Sequence, residues 1–278
     1  MAAKDGGDFV AKTLAGITGA LERAVFNEEQ ARLPGLLQGI DPRVKIIGAI
    51  LLLLVTGLIH HLETMGALYA VILLLASASR LPLWGFVRRV WFGIPIFAAV
   101  VVFPSLFLLP GRPLLVLLDL PPVWLSVTDN GLASVVLFVA RVGTSVSLAL
   151  LLVSTTRWTD LVRAMRVLKV PESFAVVLGM TYRYLFLLLR AADNLFLARA
   201  SRTVGASSGG ERRRWAAAAT GTLMSRSVKM SGDVLLAMRA RGFDGEIRSK
   251  GFGRLRDEDR LMLVMGVVLA SALLLADR

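Results

Sequence analysis

The residues best placed to do chemistry are arginines at helix ends. In Ala237-Met238-Arg239-Ala240-Arg241-Gly242-Phe243, two arginines fall in the last turn of a helix and a glycine follows directly. Gly242 suits the left-handed position just past a helix, and Arg239 and Arg241 suit the negative end of its dipole. The same geometry lets Arg241 project towards an acidic or carbonyl-rich pocket on a partner. The planar guanidinium fork makes several directed, charge-assisted hydrogen bonds there. Arg202 lies 39 residues earlier, the separation needed to put an arginine near each far end of a two-helix hairpin.

Other candidate sites dissolve on inspection. Ser207-Ser208-Gly209-Gly210-Glu211 is similar to the signature loop of an ABC ATPase, but no Gly-Lys pair exists to build a phosphate-cradling loop. Glu28-Glu29-Gln30-Ala31-Arg32 resembles a protease glutamate motif, yet it lies in a polar segment where nothing perturbs a carboxylate. His60-His61 has no further His, Cys or acid at metal-ligand spacing and reads as an interfacial pair. No catalytic or metal-binding constellation remains, so the chain reads as a non-enzyme.

The elements that position these arginines follow from hydropathy. A mean hydropathy of +0.67 with 55% hydrophobic residues fits an integral membrane protein. A span needs roughly 20 apolar residues, and Val44–Leu62, Trp91–Leu109, Leu132–Val153 and Leu261–Ala276 meet or approach that. Met65–Ser79 pairs with the first span as a helical hairpin. The fold class is therefore all-α: about five transmembrane helices plus a cytoplasmic or interfacial coupling domain of long helices. The divisions fall at 1–43 (cytoplasmic), 44–153 (spans one to four), 154–260 (coupling) and 261–278 (last span).

Charge orients this scheme. Arg43, Lys45, Arg80, Arg88 and Arg89 flank alternate span ends, while His60–Thr64 and Pro110–Asn130 hold one Arg against three acids. The N-terminus therefore faces the cytoplasm, as expected in a multi-pass inner-membrane protein. Segment 154–260 carries 20 Lys/Arg against 10 Asp/Glu, +10 of the chain's net +12. With no aromatic-plus-basic module, this charge indicates a cytoplasmic surface near anionic lipid rather than a nucleic-acid site. Pro110–Asn130 reads as an irregular outer loop, and Asp129-Asn130 as the cap of the next helix. Arg141, ten residues into that helix, faces other helices as a buried pair or snorkels.

Within 154–260, Thr159 or Asp160 caps a short amphipathic helix ending near Lys169. Ser173–Leu189, interrupted by Arg183, packs at or partly within the inner interface and continues to about Val204. Gly205–Gly210 is a flexible joint. A helix from about Arg214 to Arg241 would be about 42 Å long. The two helices form a cytoplasmic hairpin.

In this order, several stretches resemble the transmembrane T component of energy-coupling factor (ECF) transporters of the CbiQ/NikQ type, which serve cobalt and nickel uptake. They are Asp41-Pro42-Arg43-Val44-Lys45, Asp129-Asn130-Gly131-Leu132 with Arg141, and Ser154-Thr155-Thr156. Val170-Pro171, Tyr182-Arg183-Tyr184, Ala198–Thr203, Arg226-Ser227 and Ala237–Phe243 complete the set. That family carries two Ala-Arg-Gly signatures on coupling helices. The second is intact here as Ala240-Arg241-Gly242. The first keeps only its central arginine, as Ser201-Arg202-Thr203, and Arg199 competes for its role. The resemblance implies that both helix ends dock on two ABC ATPase subunits, which hold the ATP and Mg. A separate substrate-binding membrane subunit of CbiM/NikM type would carry the ion, and this chain would bind no cofactor. A self-contained transporter or channel should show intramembrane polar pairs and internal repeats. It and a membrane-anchored scaffold without a transport role are the alternatives.

Overall fold

The computed structural model describes residues 35–108, 113–120, 123–165, 170–203, 208–243 and 255–277, with Gly16, Gly19, Gln30 and Ala31. Most of residues 1–34 of the expected N-terminal segment (including most of the Glu28–Arg32 stretch), the helix end near Lys169 and residues 205–207 of the joint lie outside them. The chain forms two compact units, one of residues 28–164 and 253–278 and the other of residues 1–27 and 165–252.

The first unit is built on α1 (Pro42–Leu58) and α2 (Leu62–Ala78), the expected helical hairpin. Asp41 caps α1 by accepting from the Arg43 N–H, and Pro42 takes the first-turn position where a missing N–H costs nothing. Next come α3 (Leu83–Trp91), α4 (Ile94–Val102) and α5 (Ser105–Leu108); the span expected over Trp91–Leu109 falls instead over Leu83–Val102, interrupted at Gly93. Gly93 leaves helical geometry, and Pro95 and Pro104 each lack the donor that would continue the ladder. Arg88 and Arg89 close α3 in its last turn rather than lying in a loop.

Within the segment 110–130 expected to be an irregular loop, residues 113–120 and 123–128 are instead paired strands. β1 (Pro113–Leu120) pairs antiparallel with β2 (Val123–Thr128), Leu120 opposite Val123. Pro113 stands first in its strand, where proline is tolerated, and the ladder satisfies backbone groups an irregular chain would leave bare.

Helix α6 (Asp129–Thr155) is capped by Thr128, one residue before the expected cap. The Thr128 hydroxyl accepts from the Gly131 N–H at 3.2 Å, and Asp129 complements the dipole from the first turn. Gly131 is required by close packing: a Cβ there would lie 2.7 Å from the Leu106 carbonyl oxygen. Helix α7 (Trp158–Ala164) begins before Thr159 and Asp160, which therefore sit in its first turn instead of capping it. The last helix, α10 (Asp257–Ala276), extends four polar residues ahead of the expected span. Between them in the chain lie α8 (Glu172–Arg202) and α9 (Gly209–Ala240), which belong to the second unit.

In the first unit, Leu52, Val55 and Ile59 of α1 pack with Met65, Leu68 and Ile72 of α2. Leu148 and Leu151 of α6 and Leu273 of α10 complete the core. Large apolar side chains such as Phe97, Val100 and Leu275 remain about 70% exposed, a surface that suits lipid rather than water. Residues 83–102, 129–155, 173–202 and 257–276 are each long and apolar enough to cross a bilayer. The chain is an all-α membrane protein carrying one β-hairpin.

Candidate coupling surface

Helices α8 and α9 run antiparallel. Phe196, near the end of α8, meets Trp215, near the start of α9, with ring centroids 4.8 Å apart. At the opposite end, Val176 and Val177 share a cleft of about 490 Å³ with Leu235 and Met238. Segment 173–189 is the first half of α8, which continues to Arg202, close to the expected end. Helix α9 begins at Gly209, ahead of the expected Arg214, because Ser208 and Glu211 form a reciprocal capping box. The Glu211 N–H donates to the Ser208 hydroxyl at 3.2 Å, and the Ser208 N–H donates to the Glu211 carboxylate at 3.0 Å. At 32 residues, α9 is about 48 Å long.

The far end of α9 closes in a Schellman motif. The Gly242 N–H donates to the Arg239 carbonyl and the Phe243 N–H to the Met238 carbonyl, at 3.0 and 3.1 Å. Gly242 has φ +83°, the left-handed conformation a side chain resists. Met238 and Phe243, the apolar pair this motif brings together, both line the cleft. Arg241 is thus presented from a stapled turn. Arg239, Ala240, Arg241 and Gly242 are all exposed, and neither arginine side chain has a hydrogen-bond or ion-pair partner among the described residues.

At the joint end, Ser201 and Arg202 are exposed and the Arg202 guanidinium has no partner among the described residues. Ser201 turns its hydroxyl back to the Leu197 carbonyl at 3.0 Å. Arg199 is engaged inside the hairpin, its guanidinium 4.5 Å from the centre of the Trp215 ring. The arginines therefore form two groups at opposite ends of the hairpin, separated by about the length of α9. Arg183 belongs to neither; it is exposed midway along α8, 6.0 Å from the Tyr184 ring.

Arg141, in the other unit, turns inward and donates to the Ile59 carbonyl at 2.6 Å. The guanidinium is paired with a carbonyl freed at the end of α1, not with a carboxylate among the described residues. The same corner holds a residue the sequence reading missed. The Asp277 carboxylate accepts from the His60 and His61 N–H groups at 2.8 and 2.9 Å and from the Thr64 hydroxyl at 3.0 Å. Burial raises the Asp277 pKa, but these backbone and hydroxyl donors and the His61 ring outweigh it and hold the carboxyl well below the usual carboxylate range. A lone acid ending an apolar span is a visible signal, but its partners lie some 215 residues away.

Comparison with known proteins decides the family. Residues 35–251 match the cobalt transport protein family CbiQ. The chain belongs to that family. An uncharacterised protein of Methanocaldococcus jannaschii is 34% identical over 269 residues, covering 96% of this chain and 91% of the relative. The cobalt transport protein CbiQ of Rhodobacter capsulatus is 29% identical over 154 residues, 54% of this chain and 61% of that protein. The family match spans α1 to α9, including Arg202 and Arg241, and ends before α10.

Proposed function

We propose that this CbiQ-family protein is the energy-coupling transmembrane subunit of an ECF-type importer for cobalt or nickel ions. It catalyses nothing itself. Two ABC ATPase subunits bind ATP and Mg, and a CbiM/NikM-like membrane subunit binds the ion. Arg241 and Arg202 each seat in one ATPase, and closure of the ATPases moves the hairpin. The protein lies in the inner membrane with its N-terminus and the cationic 154–260 segment on the cytoplasmic side.

One observation carries this reading: a hairpin about 48 Å long presents exposed arginines at both ends, with no partner among the described residues. A rigid two-point connector suits force transmission better than ligand binding. Among the described residues no group of three or more His, Cys, Asp or Glu side chains could hold a metal ion.

Affinity purification of the chain expressed with its operon partners tests the proposal. Recovery of two ATPase chains and a small membrane subunit is expected. Arg241→Ala should insert and fold normally but lose about 2–5 kcal/mol of ATPase association, the scale of one desolvated charge-assisted contact. Isolation of the wild type as a lone functional pore, or unchanged assembly and uptake with Arg241→Ala, would overturn it.

A further inference from the structure

Segment 165–252, which carries the hairpin, joins the first unit at its two ends, after Ala164 and before Gly253. In the first unit, the elements leading to both junctions are tied to the same turn of α1. Asp41-Pro42-Arg43-Val44-Lys45 forms this turn. Lys45 reaches the end of α6, where its Nζ donates to the Thr155 carbonyl at 3.0 Å and the Thr156 hydroxyl at 3.3 Å. A helix C-terminus favours a cation. This bond holds the chain two residues before α7, which runs to the first junction. On the other side, the Asp41 N–H donates to Asp259 Oδ1 at 2.8 Å, while Asp259 Oδ2 accepts the Arg256 N–H at 3.1 Å. The Asp259 carboxylate is buried and caps the start of α10, the helix that follows the second junction.

We propose that Lys45 and Asp259 are positioning residues that pin both junctions of the hairpin unit to the first turn of α1, so that hairpin movement is delivered to the membrane helices together. The proposal rests on the coupling function above. A lysine and an aspartate bonded at one helix start give α7 and α10 a common fixed point. Without it, each junction is free to yield separately, and ATPase movement is absorbed by the chain between units.

The test measures coupling rather than folding. The wild-type complex is reconstituted with its ATPase and membrane partners in liposomes, and ATP hydrolysed is compared with Co²⁺ or Ni²⁺ taken up. Lys45→Met and Asp259→Ala should assemble with ATPase but consume roughly fivefold or more ATP per ion, the lower range of allosteric coupling losses. Lys45→Arg and Asp259→Asn, which retain a donor or an acceptor, should recover much of the ratio. Should Lys45→Met fail to fold, Thr156→Val removes only the hydroxyl acceptor and should raise the ratio to a smaller extent. A purely structural role would lower the yield of complex and leave the ratio unchanged, and that outcome overturns the proposal while the coupling function stands. Failure of wild-type chain to recover any ATPase overturns both.

Discussion

At the scale of single residues, arginines of one type divide by what holds them. Arg199 and Arg202 lie three positions apart on the same last turn, yet Arg199 stacks on Trp215 while Arg202 points away without a partner among the described residues. This supports Arg202 as the docking group of the first, degenerate motif. Asp277 shows how a single carboxylate can lock a turn. Its folded pKa lies below the unfolded value, so its stabilisation is present above the unfolded pKa and is lost as pH falls through the folded one. Asp277→Asn is therefore expected to unfold at a lower temperature than wild type in detergent at pH 7. The gap should narrow as pH drops below about 4. A gap independent of pH between 7 and 2 would show that the carboxylate charge contributes nothing.

Secondary-structure elements begin and end where capping groups dictate. Hydropathy places the spans, but it is blind to a serine that starts a helix five residues early. Ser208 does this for α9, and Thr128 and Asp41 do it for α6 and α1. Ser208→Ala removes one half of the capping box and should cost about 1 kcal/mol locally. Amide hydrogen exchange at Glu211 and Arg212 should then quicken by roughly fivefold, with the remainder of α9 unaffected. Unchanged exchange would mean that α9 is held by packing from its first residue. The break at Gly93 and the hairpin at 113–128 belong to the same scale. Prolines that mark the 110–130 segment as loop-like are equally compatible with strand starts, and only pairing distinguishes them.

At the scale of the whole molecule, orientation in the membrane governs whether both arginine groups can meet cytoplasmic ATPases. Helix α8 is long and apolar enough to cross, whereas the proposed topology, read from the positive-inside pattern, puts both ends of the hairpin on the cytoplasmic side. The chain has no cysteine, so single introduced thiols report sidedness cleanly. Gly209→Cys is expected to react with an impermeant maleimide only in inside-out vesicles, and Glu63→Cys only in intact, right-side-out preparations. Labelling of Gly209→Cys from outside would make α8 a true span and withdraw Arg202 from any cytoplasmic partner.

Sequence alone determined the properties that depend on local composition: the membrane setting, the all-α class, the two-helix hairpin, and Gly242 as the left-handed residue that presents Arg241. Each follows from hydropathy or from backbone preference within a few residues. Tertiary structure decided the rest. Arg141 needs the Ile59 carbonyl 82 residues away, Lys45 needs Thr155 110 residues away, and Asp41 needs Asp259 218 residues away. Whether a charge in an apolar setting is a docking group, a cap or an internal strap depends on which donor or acceptor folding brings beside it. Sequence spacing carries no record of that partner.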